Sequence, residues 1–591
     1  MRVRRDRIHT GHKALSRKDR FKIFKTIVQA IVLLGALLLL INAIVDIRSY
    51  REPDRAQWSS DRGFVALSYF GVGRSGTAKL IARRELERQL GALHEQGYRT
   101  ISQADIVRYY RDGQPLPDKA LFLAFEDGRN DSALFAQSLL EKYNFKATML
   151  SYADKMGDGQ RKFLQPRDLT GMKKTGYWEL GSGGYRLSYI NVFDREGRFV
   201  GEVNEVDSNK QEMAYYNHYL MDFVRDANMI PTEDKEEMEA RIGADYEAMR
   251  SIYTGRFGEV PGLYMIMHAN ALYEGMNPLV GAANDEAIRE LFEMHFNREG
   301  EAYNGPEGEL YDLTRLQVSP YWSTNHLLMK IRKDSGQAVA FVTGDEAQAQ
   351  AWRTLAGAAE YGAQRLVLTA PPGAEGRLVL ADGAEARDVR IRAELRGNVV
   401  GRQSVYVRLD EAQQRYARLT LDNNVLLLET RDGPDDELQA ALEVMLDEVK
   451  WKEEDITYDR ASVYSLEQAL GGKTEDEGYP PNIADTRQLD IRLTGDRLSV
   501  RVDGDLLIAD HPLASDLPAG IGLGAEASEL HPDDDIYDGV FADVRIEALT
   551  DEQGGEGVRP LFTQRRSGLA GVGAAVRKAY NAVIDWSIET F

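Results

Sequence analysis

The sequence predicts an α/β barrel followed by an all-β sandwich, preceded by one N-terminal transmembrane helix. Three observations lead to this prediction. A charge-free apolar stretch lies near the N-terminus, strand-like and helix-like segments alternate from residue 63 to 334, and short alternating strands fill residues 335–549. At 591 residues the chain is too long for one hydrophobic core, so more than one domain is expected.

The N-terminus has the pattern of an uncleaved membrane anchor. Residues 1–25 contain ten lysines and arginines, and residues 26–45 then contain no charged side chain. A helix of about 20 residues spans the hydrocarbon core of a bilayer. Basic flanks favour the cytoplasmic side, so we expect a cytoplasmic segment (1–25), a transmembrane anchor (26–46) and a linker (47–62), with the main domains extracytoplasmic. A cleaved signal peptide is the alternative, but no small-residue cleavage site follows the apolar stretch.

Composition excludes several classes of function. The net charge is −21 although the N-terminal segment is basic, so the remaining chain is strongly acidic. Nucleic acid is therefore not expected as a partner, because no basic stripe exists outside the anchor region. The chain has no cysteine, which excludes disulfides, cysteine-ligated zinc and thiol nucleophiles.

Alternating strand and helix patterns predict the barrel. The segments "GFVALSYF", "ALFLAFEDG" and "FKATMLS" are strand-like, and "AKLIARRELERQLGALHEQG" and "SALFAQSLLEKYN" between them are helix-like. This order is typical of a parallel sheet or a (β/α) barrel, in which chemistry collects at the carboxyl ends of the strands. Glu126 and Asp127 stand at such an end. Residues 190–250, rich in tyrosine and acidic groups, are expected to form an insertion that caps the barrel.

Short strands separated by Asp-Gly and Gly-Asp turns predict the antiparallel sandwich. Examples are "RLVLTAPP", "YARLTLDNNVLLLETRDG" and "LDIRLTGDRLSVRVDGDLLIAD". An acidic stretch over about 431–487 is expected to be an insertion at one edge. The tail, residues 550–591, contains apolar residues at helical spacing over 568–591, which predicts an amphipathic helix on the membrane, on a partner or on the sandwich.

Residues 63–334 resemble the polysaccharide deacetylase family, the family-4 carbohydrate esterases. The resemblance rests on "LERQLGALHEQGY", "LFLAFEDG", "LEKYNFKAT" and the closing "YDLTRLQVSPYWSTNHLLMKI", in that order. It implies a deformed (β/α) barrel of the deacetylase type. It also implies that Glu126 occupies the position of the general base and Asp127 that of a metal ligand.

The second motif of that family is incomplete. "WELGS" matches, but the two positions that hold the family's metal-binding histidines are Gly183 and Leu187. Borderline divalent metals need several good donors, so we expect no cofactor, and zinc only if the site is rebuilt. His268 is a candidate to complete such a rebuilt site with Glu126 and Asp127; the alternative is a histidine hydrogen-bonded at a strand end. Tyr185 and Arg186, in place of the metal-binding loop, are candidates for sugar contacts or for packing.

The second domain resembles the concanavalin-like jelly rolls that accompany carbohydrate-active proteins. The segments that carry this resemblance are "RQLDIRLTGDRLSVRVDGDLLI", "PAGIGLGAEA" and "DGVFADVRIEAL". The resemblance implies a fold, and glycan binding follows only by analogy. A sandwich that serves as a spacer or an assembly surface is the alternative.

Three hypotheses for function remain open. The first is a pseudoenzyme at the cell membrane that binds a polysaccharide or organises exopolysaccharide synthesis, modification or export, with membrane-bound glycan synthesis or export proteins as partners. The second is an active polysaccharide deacetylase with a rebuilt site, or a glycoside hydrolase that uses Glu126 with another carboxylate. The third is a structural protein of the cell envelope whose domains bind other proteins.

Overall fold

The computed structural model describes residues 49–564 except 78, 158, 160, 195, 205–212, 267–275, 382–385, 398–400, 423, 449–483, 515–519, 529–534 and 553–554, together with residues 25, 26, 29 and 33. The chain divides into two compact units, Met1–Arg51 and Glu52–Phe591. In the first unit, residues 25, 26, 29 and 33 are helical and residues 49–51 have no regular secondary structure. Most of the predicted anchor and all of the predicted C-terminal helix (568–591) lie outside the described residues. Within the described part, no helix combines the length and the apolar character that crossing a bilayer requires.

The described residues of the second unit begin with fourteen strands and seven α-helices. The strands are β1 (Phe64–Tyr69), β2 (Val72–Gly73), β3 (Ile81–Ala82), β4 (Arg99–Thr100), β5 (Ala120–Phe125), β6 (Ala147–Tyr152), β7 (Trp178–Gly184), β8 (Ser188–Asp194), β9 (Phe199–Asn204), β10 (Met213–His218), β11 (Leu263–Met265), β12 (Met294–Glu299), β13 (Tyr303–Asn304) and β14 (Leu313–Gln317). The helices are α1 (Arg83–Glu95), α2 (Gln103–Asp112), α3 (Asn130–Tyr143), α4 (Pro166–Thr175), α5 (Lys235–Phe257), α6 (Pro278–Leu291) and α7 (Thr324–Ser335).

Seven of these strands close into a parallel barrel. Their order around the barrel is β1, β5, β6, β7, β11, β12 and β14, and β14 pairs again with β1. Every residue of β1, β5 and β6 is buried, as expected for strands covered on both faces. Inside the barrel, Phe122 stacks on Phe296 with 5.0 Å between the ring centroids. The predicted (β/α) barrel is confirmed.

The predicted capping insertion contains a small sheet and a long helix. Strands β10, β8 and β9 form an antiparallel three-stranded sheet, and α5 follows. Helix α5 begins at a capping box, in which the Asp234 carboxylate accepts from the backbone N–H of Glu237 and the Glu237 side chain accepts from that of Asp234. The insertion places α5 beside β6 and β7, where the Tyr253 hydroxyl donates to the carbonyl of Ser151.

The remaining strands form two antiparallel sheets. They are β15 (Trp352–Ala356), β16 (Ala358–Tyr361), β17 (Arg365–Thr369), β18 (Gly376–Leu380), β19 (Val389–Arg396), β20 (Gly401–Asp410), β21 (Arg415–Asp422), β22 (Val425–Arg431), β23 (Gln439–Met445), β24 (Thr486–Thr494), β25 (Arg497–Val502), β26 (Asp505–Pro512), β27 (Gly520–Ala527), β28 (Asp538–Glu552) and β29 (Gly555–Thr563); a short helix, α8 (Glu346–Ala349), precedes them.

The two sheets pack face to face. One has the order β15-β18-β27-β20-β21-β22-β23 and the other β16-β17-β28-β19-β24-β25-β26, with β29 paired to β28. One apolar core holds side chains from both, such as Leu368 and Ile391 from one sheet and Val405 and Leu523 from the other. The chain therefore contains extra antiparallel sheets beside the barrel, while the likeness to concanavalin-like jelly rolls stays a prediction. The predicted boundary at residue 549 falls inside β28. The predicted acidic stretch (431–487) contains the edge strand β23, and its residues 449–483 lie outside the described residues.

A buried carboxylate joins the barrel domain to the sandwich. Asp538, the first residue of β28, accepts hydrogen bonds from the backbone N–H (2.8 Å) and hydroxyl (2.9 Å) of Ser323 at the start of α7 and from the Thr369 hydroxyl (2.6 Å). The Nδ1 atom of His326 lies 3.3 Å from the same carboxylate. Burial raises the pKa of Asp538, but His326 and these hydrogen bonds outweigh it, so the pKa is lowered.

We expect Asp538→Ala to lower the free energy of unfolding by about 3 kcal/mol, because it leaves buried hydrogen-bond donors on both domains without an acceptor. Since the pKa of Asp538 is lower in the folded protein, its contribution is present above about pH 4 and is lost as the pH falls further. Urea unfolding at several pH values measures both effects. The control is Asp535→Ala, which removes a half-exposed partner of Lys333 and should cost less than about 1 kcal/mol. Equal effects of the two variants would contradict this account.

Candidate functional site

Glu126 lies inside the mouth of the barrel and is fully buried. It follows β5 directly, and its backbone N–H donates to the carbonyl of Tyr69 on β1. Its Oε1 accepts from Nε of Arg315 at 3.0 Å, and its Oε2 accepts from the side-chain amide of Gln317. Both partners come from β14. The carboxylate in the position of the general base is therefore held in an ion pair.

Arg315 connects two carboxylates in this site. Its side chain is 3 % exposed, and besides Glu126 it contacts Glu299 (3.1 Å) and the backbone carbonyl of Arg298 (3.2 Å). Burial raises the pKa of Glu299, and the charge of Arg315 opposes that rise. The cation fixed beside Glu126 repels a second cation at the same place.

Asp127 is turned toward the adjoining loops. Its Oδ2 accepts from the Ser132 hydroxyl at 2.7 Å and its Oδ1 from the backbone N–H of Arg129 at 3.1 Å. The Ser132 hydroxyl also accepts from the backbone N–H of Val72 at 2.8 Å. A Cβ atom on Gly71 would lie only 2.2 Å from Oδ2, so only glycine allows this close approach. Burial raises the pKa of Asp127 to about 6, against the hydrogen bond from Ser132.

The residues at the two histidine positions do not suit a metal. Gly183 is buried within β7, and Leu187 packs against the apolar core of the barrel. Neither side chain has a donor atom, so Asp127 is the sole carboxylate or imidazole left of the implied Asp-His-His set. No group of three or more His, Asp or Glu side chains suited to a metal occurs among the described residues. His268 lies outside them, so the structure does not place it.

Tyr185 and Arg186 lie in the loop between β7 and β8. The Arg186 guanidinium lies over the rings of Tyr219 (4.3 Å) and Tyr185 (5.6 Å) and is 3.4 Å from the carboxylate of Asp245 on α5. These contacts attach the loop to the insertion. The enclosed space beside the loop is about 30 Å³, room for about one water molecule. The consecutive carboxylates Glu126 and Asp127 thus face different partners, and Arg186 has partners within the protein.

Arg315 and Gln317 were not predicted as site residues. They lie in "LTRLQV", within the stretch that supplied the closing strand of the resemblance. An arginine at the centre of a buried barrel strand requires a buried carboxylate as its partner, because an unpaired buried charge is very costly. That requirement was the available signal, but the sequence does not say which carboxylate lies across the barrel.

Comparisons with known proteins give local similarity to deacetylases. No family model matches the chain. A 107-residue region is 33 % identical to the poly-β-1,6-N-acetyl-D-glucosamine N-deacetylase of Escherichia coli (strain K12). This region covers 17 % of this chain and 16 % of that protein. The chain contains a region similar to polysaccharide deacetylases. A Bacillus subtilis protein named as a polysaccharide deacetylase is 24 % identical over 110 residues, covering 18 % of this chain and 39 % of that protein.

A solved structure of a de-N-acetylase from Aggregatibacter actinomycetemcomitans is also similar. It has a TM-score of 0.35 and 16 % sequence identity, and it covers 45 % of this chain and 98 % of that one. The chain spans only a minor part of the length of the two curated relatives.

We expect Arg315→Met to lower the free energy of unfolding by about 3–5 kcal/mol, because it leaves Glu126 buried without its cation. The double variant Glu126→Leu/Arg315→Met should recover much of this loss, since both charges are then absent. Urea unfolding measures all variants. Arg298→Met is the control, because Arg298 pairs with Asp312 in solvent and should contribute less than about 1 kcal/mol. A double variant less stable than Arg315→Met would contradict the ion-pair assignment.

The raised pKa of Asp127 predicts that this residue makes the free energy of unfolding depend on pH. A carboxyl with a pKa of about 6 when folded, against about 4 when unfolded, favours the folded state at low pH. This contribution is full below about pH 4 and is lost as the pH rises through 6. Relative to wild type, Asp127→Asn should therefore gain about 2 kcal/mol of stability between pH 4 and pH 7. Urea unfolding tests this, with the exposed Asp131→Asn as control; no differential gain would contradict the raised pKa.

Proposed function

We propose that this chain is a membrane-anchored, extracytoplasmic polysaccharide-binding or assembly protein with an inactive deacetylase-like barrel. Its role is in exopolysaccharide or cell-envelope glycan synthesis, modification or export. The polysaccharide part of the proposal is supported by the similarity to enzymes named as polysaccharide deacetylases. The anchor is supported by the basic N-terminal segment and the charge-free residues 26–45.

The main support for an inactive barrel is that both carboxylate oxygens of Glu126 are already paired within the protein. A general base must accept a proton from a nearby water, and each oxygen of this carboxylate instead accepts from Arg315 or Gln317. The donor set adds to this argument, because Gly183 and Leu187 offer no metal ligand and Asp127 already accepts from Ser132 and Arg129. Loss of the hydrolytic chemistry with retention of the barrel is the simplest account of both features.

Two measurements test this proposal. Purified protein loaded with zinc and then dialysed should retain no stoichiometric metal, and Asp127→Asn should behave like wild type. Incubation with poly-β-1,6-N-acetyl-D-glucosamine should release no acetate or reducing sugar, whereas the polymer should still bind. Zinc retained through Asp127, or product release abolished by Glu126→Gln, would overturn the inactivity and favour a hydrolase with a rebuilt site.

The binding measurement separates the remaining hypothesis. Failure to bind every polysaccharide tested, together with co-purification of membrane proteins, would favour a structural protein of the envelope. Membrane fractionation of the full chain tests the anchor, with a variant carrying three aspartates within residues 30–40 as control. That variant should leave the membrane fraction, because each charge at the centre of a spanning helix costs about 3 kcal/mol.

A further inference from the structure

A groove with a positively charged lining lies between α4 and the C-terminal end of α5. It has a volume of about 440 Å³ and is lined by Pro166, Arg167, Thr170, Gly171, Lys174 and Arg256. The charged side chains in this lining are all cationic, and we call Arg167, Lys174 and Arg256 the basic rim. Among the described residues, none of the three forms an ion pair. Arg167 and Lys174 are seven residues apart, which places them on one face of α4.

The cations of the basic rim differ from the other cations on the same two helices. The chain has a net charge of −21, and neighbouring cations on the same two helices are paired. Lys173 lies 2.6 Å from Glu259, and Arg250 lies 2.6 Å from Glu290. Three cations that have no carboxylate partner among the described residues lie around one concavity, and together they create a local positive potential that attracts an anion.

The groove opens into a larger cavity of about 830 Å³. The two share Thr170, Lys174 and Arg256. The cavity extends to the beginnings of β7 and β11, so it lies at the opposite end of the barrel from Glu126 and Asp127, which follow the carboxyl end of β5. Its size lies in the range of small-molecule sites, and its walls include the apolar side chains of Leu180, Phe257, Val260, Pro261 and Leu291.

The cavity lining combines the cations Lys173, Lys174 and Arg256 with hydrogen-bond acceptors on Gln103, Glu179 and the exposed Glu293. The side-chain amide nitrogen of Gln103 donates to the Thr148 hydroxyl (3.1 Å) and to the carbonyl of Leu180 (2.9 Å), which directs its carbonyl oxygen toward Gly262. A Cβ atom on Gly262 would lie 3.6 Å from that oxygen and 3.2 Å from Oε2 of Glu293. Neither oxygen has a donor among the described residues. The carboxyl of Glu179 also lines the cavity, and it accepts from the backbone N–H of Gln103.

These features match the two ends of one kind of ligand. Hydroxyl groups would donate to Gln103 and Glu293, apolar ring faces would contact the cavity walls, and an anionic substituent would reach the basic rim. We propose that the cavity and the basic rim bind a saccharide that carries an anionic group, a carboxylate or a phosphate. The choice of a saccharide rests on the proposed function, whereas the anion preference rests on the basic rim.

Calorimetric titration of the full chain with galacturonic acid trimer, galactose trimer and glucose 6-phosphate tests this inference. We expect the acidic trimer to bind at least tenfold more tightly than the neutral one, with an affinity that falls as salt is added. The basic rim is removed in the triple variant Arg167→Gln/Lys174→Gln/Arg256→Gln. This variant should bind the acidic trimer only as tightly as the neutral trimer, and its affinity for the neutral trimer should equal that of wild type. Glu293→Ala should weaken both trimers. If glucose 6-phosphate binds and the triple variant loses this binding, the site also accepts a phosphate as the anionic group.

The matched control is Lys142→Gln/Lys235→Gln/Arg250→Gln, which changes the net charge equally at helix surfaces outside the groove. It should bind every probe as wild type does. Equal affinity of wild type for the acidic and neutral trimers, or equal losses in the two triple variants, would overturn the inference but leave the proposed function intact. If the chain binds neither these probes nor any polysaccharide, the proposed function fails as well.

Discussion

The ion pair between Glu126 and Arg315 is the constraint on which the barrel mouth depends. Both side chains are buried, so each charge has lost its hydration and is stabilised chiefly by the other. The two residues are 189 positions apart in the chain. Glu126 directly follows β5 and Arg315 lies on β14, and these two strands flank β1 in the closed barrel. Their contact therefore ties the segment that follows β5 to the closing strand. A change to either partner leaves an uncompensated charge at the centre of the domain.

The same pair changes what the rest of the site can do. With Arg315 beside Glu126, the positive charge that a metal would bring is already supplied by the protein. Asp127 makes its contacts elsewhere. It accepts from Ser132 at the start of α3, and the Ser132 hydroxyl accepts from the loop after β1. Leu187 adds apolar surface in place of a ligand. Glu126, Asp127 and Leu187 thus each have their contacts within the protein.

Much of the fold could be predicted from the sequence because it follows local patterns. The continuous apolar runs at β1, β5 and β6 and the alternating strands of the sandwich are signals of a few residues each. The position of Glu126 and Asp127 at a strand end followed directly from these signals. The partners of those carboxylates did not, since Arg315 and Gln317 approach from a strand almost two hundred residues later. Strand neighbours across a closed barrel are set by topology, which local periodicity does not encode.

The cavity at the base of the barrel and the joint at Asp538 were missed for the same reason. The cavity draws on α2, α4, α5 and the residues before β11 and β12, and the joint combines residues from two domains. In the sequence, Arg167 and Lys174 are ordinary surface cations, and only their shared groove with Arg256 sets them apart. Sites assembled from several elements need tertiary contacts before their chemistry can be recognised.

The internal neutralisation of Glu126 also has a consequence for the living cell. During synthesis the segment that holds Glu126 is made 189 residues before Arg315, so the carboxylate has no cationic partner until β14 has been made and has closed the barrel.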